Sequence, residues 1–356
     1  MSAAGTPAKD APGELLFLFT VDTEVHLDAA HDVSGAEAFE RAIYCRLGGR
    51  DCGIGLIMDL LDARGFVGTF FVDVLMEHRF GREVVQRAVH AIRERGHDVQ
   101  LHLHTAPHLS FAADPALREL NDALVSHDPE RFRGALEAGM ESFVAVAGHE
   151  PAAYRSGGYQ LSDGYLDVLG ELGIAVDSSL WPFKGCRTST WMWPRSQPFW
   201  VGDVLEVPVS YVVERRRDGE VVRQFGPRRA GAGAQSAITS FPVPDAGSPR
   251  TLVYLCHSYS FMQSRDDPAE GLDEPRLALA ERMLDELAAR ADVRGIGFGE
   301  LATMRDRWPK EHPEPAPAPH WDQLTSTASS VRLGVADIER LRDAPGSSPA
   351  KARAGS

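Results

Sequence analysis

Short apolar runs recur along the chain and are separated by longer segments with helical periodicity. The runs at 15–21, 68–72, 98–104, 152–155, 174–177, 204–207, 251–256 and 293–296 read as strands. Between them, residues 54–61 predict a helix that ends at Arg64-Gly65, with Gly65 as its C′ glycine. Val84, Val85, Ala88, Val89 and Ile92 line one face of a helix that stops at Gly96. Further helices carry Phe132, Leu136, Met140 and Phe143, span 162–172, and start at an Asp273 cap with Pro275 in the first turn. Strands that alternate with helices in this way must run parallel, joined by right-handed crossovers. The expected class is therefore α/β, as a barrel or doubly wound sheet of about seven strands. Residues 211–225 break the pattern: two alternating runs flank Asp218-Gly219 and predict a small β-hairpin insertion, followed over 226–250 by a Gly/Pro/Ala/Ser loop. The folded body is expected over 14–308. Residues 1–13 read as a disordered tail, and 309–356 as a Pro/Ala-rich tail in which 335–341 is a candidate for one short docked helix.

Composition narrows the function more than the fold. With 37 Lys+Arg against 51 Asp+Glu, the net charge of −14 repels phosphate backbones and anionic lipid, so nucleic acid is excluded as an expected partner. Four cysteines without a C-x-x-C pair point to a reducing compartment. The apolar run at 15–19 is too short to span a bilayer and follows Asp10 and Glu14 rather than a basic stretch. A soluble, cytoplasmic protein is expected.

Five polar clusters follow predicted strands, and in a parallel barrel the loops at the C-terminal strand ends build the site. In Thr20-Val21-Asp22-Thr23-Glu24, side-chain alternation puts Asp22 and Glu24 on one side, where two carboxylates suit metal binding and proton sharing. An isolated acid there would read as a cap. Residues 96–108 hold four of the 13 histidines, a density that packing does not explain. His102 and His104 share a strand face, His104 and His108 are spaced for a strand-to-turn chelate, and His97 reads as structural. At Arg155-Ser156-Gly157-Gly158-Tyr159, an arginine able to pair with a carboxylate precedes two glycines whose N–H groups can approach a substrate oxygen, although a Gly-Gly pair is more often simply a turn. Leu205-Glu206-Val207 and Leu255-Cys256-His257 each end an apolar strand in an ionisable group. A histidine is suited to protonating a leaving amine.

Taken in order, these clusters resemble the polysaccharide deacetylase family (NodB-homology domain, carbohydrate esterase family 4) over residues 14 to 305. Its T-F-D-D-G is similar to Thr20 to Glu24, its T-F-F-V stands at Thr69 to Val72, and its G-H-E-[IV]…H-[ST]-x-x-H is similar to Gly96 to His108. Its R-x-[PG]-[YG]-[GY] resembles Arg155 to Tyr159, and its L-x-H Leu255 to His257. The resemblance implies a distorted (β/α) barrel with one divalent ion, zinc first and cobalt, nickel or manganese as alternatives. It also implies Asp22 as general base, His257 as general acid, Arg155 orienting Asp22, the Gly158 N–H as oxyanion donor, and Glu206 orienting His257. The family's second Asp is Thr23 here, so the carboxylate ligand passes to Glu24, with Asp22 as the other choice. H-[ST]-x-x-H points to His104 and His108 as ligands, with His102 in reserve. The implied activity is metal-dependent removal of an N-acetyl or other acyl group from an amino sugar or sugar-containing intermediate. Trp181, Trp191, Trp193 and Trp200 are candidates for stacking on sugar rings, with one or two of them in the core. The rival readings are a metal-independent, allantoinase-like C–N amidohydrolase and a non-catalytic glycan-binding barrel. A pure binder has no need of an acid and a base together.

Overall fold

The computed structural model describes residues 14–25, 33–181, 186–187, 197–216, 219–227, 249–310, 325–327 and 330–333. Nine strands form one sheet: β1 (Leu15–Thr23), β2 (Gly68–Asp73), β3 (Asp98–Leu103), β4 (Ala153–Ser156), β5 (Val176–Asp177), β6 (Phe199–Val201), β7 (Val204–Glu206), β8 (Arg250–His257) and β9 (Val293–Gly295). The order is β8-β1-β2-β3-β4-β5-β7-β6, with β9 also pairing with β1. All pairings are parallel except β6 with β7. Each of the eight apolar runs forms a strand, so the sheet has more than the seven or so expected, and β6 is an antiparallel edge strand that the apolar pattern did not separate from its neighbour.

The sheet curls into a distorted barrel, and β8 and the segment after β7 are bridged by isolated hydrogen bonds rather than a ladder. Val253 N donates to Ser210 Oγ (2.9 Å), Phe225 N to Ser210 O (2.8 Å) and Leu255 N to Phe225 O (2.9 Å). Helices Ile54–Asp62, Arg82–Glu94, Pro129–Ala147, Asp163–Glu171 and Glu274–Ala288 bury their apolar stripes on the outer face, against Phe17, Phe19, Phe70, Leu101, Tyr154 and Tyr254. Side chains of opposite parity, including Leu16, Leu18, Phe71, Ala153, Val176, Leu205 and Val253, fill the interior. Phe298, Leu301 and Trp308 complete this inner cluster from the C-terminal part of the body. Capping agrees with the sequence: the Asp273 side chain accepts from Arg276 N, and Gly65 has φ 67.

The insertion is a hairpin, Tyr211–Arg216 with Gly219–Gln224, in which Arg216 pairs with Gly219, so Gly219 belongs to the second strand rather than to the turn. Strands Ser330–Leu333 and Thr325–Thr327 extend it, so part of the expected C-terminal tail is sheet. The candidate helix at 335–341, residues 1–13, Trp191 and Trp193 lie outside the described residues. No helix among the described residues is long and apolar enough to cross a membrane.

Candidate metal centre and active site

Strand parity builds the site. On β1 the inward residues Leu16 and Leu18 are followed by Thr20 and Asp22; on β3 the inward face ends in Gln100 and His102, on β4 in Arg155, and on β8 in His257. Register then brings these ends together, with Asp22 opposite His257 and His102 opposite Arg155. A polar layer thus lies on the apolar plug, and the Arg155 guanidinium stacks on the Phe71 ring at 4.2 Å.

Arg155 is fully buried. Its Nη1 donates to Asp22 Oδ1 and to Thr20 Oγ1, both at 2.8 Å, its Nε to Ser178 O and its Nη2 to Ser178 Oγ, both at 3.0 Å. The two hydroxyls spend their own protons on main-chain oxygens, Thr20 on Tyr254 O and Ser178 on Val207 O. They can therefore only accept from the guanidinium, which fixes it in one orientation. Asp22 Oδ1 is held by this pair, while Oδ2 makes no hydrogen bond among the described residues.

Beside Asp22, the donor atoms of Glu24, His102 and His104 lie within 4.8 Å of one another. Glu24 Oε2 is 3.1 Å from His102 Nε2 and 2.6 Å from His104 Nε2, and Glu24 Oε1 is 3.5 Å from His257 Nε2. His102 Nδ1 is 2.7 Å from Arg155 O. A carbonyl only accepts, so Nδ1 carries a proton, and in the neutral ring the Nε2 lone pair faces the Glu24 carboxylate. Two acceptors facing each other require a cation or a proton between them, and one carboxylate with two imidazoles is a donor set that divalent zinc-like ions take. Burial opposes charge on Glu24, yet His104, His102 and His257 hold its carboxyl well below the usual range. Burial likewise opposes an imidazolium at His104, but Glu24, with Asp73 and Asp22, raises it to about 9. The metal-free site therefore holds a proton where an ion would hold charge.

Gly157 makes room for this arrangement. A Cβ there would lie 2.6 Å from Leu103 O and 2.7 Å from the His104 ring, so the imidazole packs against bare main chain. The next residue, Gly158, is exposed at the end of β4 with φ 62.

Several sequence-selected residues fall elsewhere. His108 lies outside the three-residue group: it is buried, with Nε2 3.4 Å from Asp73 Oδ2, because the chain turns into a helical segment at Thr105 and strand parity no longer applies. Glu206 does not orient His257. Leu205 and Val207 point inward, so Glu206 points to the outer face with Val204, where its Oε1 accepts from Leu180 N at 3.0 Å. Trp200 is core, its Nε1 donating to Trp308 O at 2.8 Å, and Trp181 is also buried. His97 is structural, accepting from Gly68 N at 3.1 Å. Sequence reasoning assigned no role to Thr20, Asp73, Ser178 or Tyr259. Tyr259 stacks on His257 (5.1 Å between centroids, 20° between planes). Asp73, Ser178 and Tyr259 sit at or just beyond a strand's C-terminal end, the position that marked the others, while Thr20 lies inside β1 on the same face as Asp22.

No family model and no curated protein sequence matches the chain. Among solved structures, a protein from Mycobacterium smegmatis assigned as a polysaccharide deacetylase matches with TM-score 0.50 and 19% identity over 88% of this chain and 99% of that one. The 4-alpha-glucanotransferase from Thermococcus litoralis matches with TM-score 0.50 and 11% identity over 82% of this chain and 40% of that one. Puue allantoinase matches with TM-score 0.49 and 12% identity over 87% of this chain and 96% of that one. The two matches at TM-score 0.50 are named for different activities, so function has to be argued from the site. The fold of this chain is the one seen in the Mycobacterium smegmatis protein assigned as a polysaccharide deacetylase.

Proposed function

We propose that the chain is a metal-dependent hydrolase that removes an N-acetyl or related acyl group from an amino sugar or a sugar-containing intermediate. The observation that carries this reading is the convergence of Glu24, His102 and His104 donors beside an Asp22 held by Arg155 and a half-buried His257. Similarity of fold to a polysaccharide deacetylase supports the substrate class. Glu24, His102 and His104 would hold the ion. Zinc suits two imidazoles and a carboxylate, and cobalt, nickel or manganese share that preference.

A divalent ion there would act as a Lewis acid toward the scissile carbonyl and make a water more acidic. Asp22 accepts the proton of the attacking water at Oδ2, because Oδ1 is engaged by Arg155. Arg155 holds that carboxylate in place and, through its carbonyl, fixes the His102 ring. His257 delivers a proton to the departing amine, its ring held by Tyr259. The Gly158 N–H, two residues beyond β4, is the donor proposed for the developing oxyanion. The cytosol is the proposed compartment, with a small or lipid-linked sugar intermediate as substrate.

Metal content by elemental mass spectrometry, with acetate release from N-acetyl sugars measured on the same samples, tests the reading. About one ion per chain, lost together with acetate release in His104→Ala, is expected. An active protein that takes up no zinc, cobalt, nickel or manganese would favour metal-free C–N hydrolysis. A metal-binding protein that holds glycans without releasing acetate would favour a binding barrel.

A further inference from the structure

We propose that Asp177 and Glu206 form a buried acid pair that shares one proton and positions Arg155, and through Arg155 both Asp22 and His102. The inference rests on the deacetylase reading for its catalytic consequence, but not for the pair itself.

Asp177 and Glu206 are opposite each other in the parallel pairing of β5 with β7, and both are fully buried. Register and strand parity put both side chains on the outer face of the sheet, so the two carboxyl groups are neighbours there. An ionised carboxylate only accepts, so two such buried neighbours can bond each other only while one of them carries a proton. Residues 179 and 180 donate to the carboxyl oxygens. Asp177 Oδ2 accepts from Ser179 N (3.1 Å) and Oδ1 from Ser179 Oγ (2.6 Å), while Glu206 Oε1 accepts from Leu180 N (3.0 Å). Ser179 Oγ in turn accepts from Ser156 N at 2.9 Å. The pair therefore holds residues 179 and 180 against the ends of β4 and β7.

Ser178 lies between these anchors and receives two of the four Arg155 hydrogen bonds, at O and at Oγ. Its hydroxyl donates to Val207 O, the residue after Glu206. A proton shared on the outer face of the sheet thus fixes the seat of the guanidinium that faces inward. Among the described residues, Arg155 and Tyr154, both from β4, interact with Asp177 electrostatically. Burial pushes the Asp177 carboxyl up; the hydrogen bonds from Glu206 and Ser179 and the charge of Arg155 pull it back only in part. Loss of the shared proton at alkaline pH would leave two adjacent carboxylates buried without compensation, and the 178–180 turn would have to move.

Glu206→Gln isolates the shared proton. Its Oε1 still accepts from Leu180 N, and its amide bonds Asp177 without a titrating group. Glu206→Leu removes the bond. The metal-loaded full chain and both variants are compared in two assays across pH 5 to 10. In urea unfolding, the folded wild type holds a proton that the unfolded chain, whose carboxyls titrate near 4, releases. Its unfolding constant relative to Glu206→Gln should therefore rise tenfold per pH unit until the proton leaves the folded pair. In acetate release, Glu206→Gln should keep kcat within about twofold of wild type at neutral pH and persist where the wild type declines. Glu206→Leu should lower kcat roughly tenfold or more with KM little changed and the ion retained, as displaced outer groups do. A ratio of unfolding constants that does not change with pH overturns the shared proton. A Glu206→Gln variant as impaired as Glu206→Leu, with its ion retained, overturns the positioning role. Absence of acetate release from every form, wild type included, overturns the deacetylase reading and the catalytic role together, while the unfolding ratio still decides the pair.

Discussion

Replacing Arg155 with methionine tests the charged layer of the barrel. Methionine keeps volume over Phe71 but removes every guanidinium donor, so Asp22, only 5% exposed, retains a carboxylate with no partner. Thr20 and Ser178 lose little, since each hydroxyl still donates to a carbonyl. The cost therefore concentrates at Asp22. Breaking a buried ion pair by deleting one member costs about 3–5 kcal/mol, a large share of the roughly 5–15 kcal/mol that holds a domain folded. Adding Asp22→Asn removes the stranded charge and leaves a neutral amide whose unmet hydrogen bonds cost about 1–3 kcal/mol, so the double variant should recover roughly 2 kcal/mol. Urea unfolding followed by far-UV circular dichroism, with a chelator present and the m-value unchanged, measures all three free energies. A loss below about 1 kcal/mol in Arg155→Met, the range of an exposed pair, or no recovery on adding Asp22→Asn, would refute the reasoning. His102 bonds the Arg155 carbonyl, not its side chain, so Arg155→Met should keep its ion while acetate release is lost.

Four further outcomes are expected. Glu24→Ala and His102→Ala should each lose the ion by elemental mass spectrometry, whereas His108→Ala should keep it; loss in His108→Ala would move that residue into the ligand set. Asp22→Asn should keep the ion and lower kcat by roughly 10²–10⁴ with KM little changed, and retention of full kcat would remove Asp22 as the base. Gly157→Ala should weaken ion binding about 10–100-fold, because the new methyl displaces the His104 ring; an unchanged affinity would show that the ring has room. With His104 raised to about 9 in the metal-free protein, zinc uptake at pH 7.5 should release close to one proton from this residue, and apparent affinity should rise with pH up to about 9 and then level. Titration calorimetry in buffers of different ionisation enthalpy measures that proton, and its absence would contradict the Glu24–His104 pairing.

Much of the site was legible because strand residues alternate. Asp22 with Glu24, and His102 with His104, share a side in any strand, whatever surrounds it. Arg155 and His257 stood out because each ends an otherwise apolar run. Alternation, however, does not say which side faces the barrel interior when both faces are buried and apolar. Glu206 shows this: Leu205 and Val207 turn inward, so the carboxyl that looked like a partner for His257 meets Asp177 on the other face. His108 shows a second limit, since two residues beyond β3 the backbone has already turned, and an H-[ST]-x-x-H spacing no longer implies a shared direction.

The sequence by itself determined the alternation of strands and helices, the parallel sheet it requires, and the polar residues waiting at strand ends, because these depend on local periodicity and composition. Only the tertiary structure decided which of those ends meet. Asp22 opposite His257, the Glu24–His102–His104 convergence and the Asp177–Glu206 contact join segments tens to hundreds of residues apart. They are set by strand order, register and the curl of the sheet, all of which follow from packing the whole barrel at once.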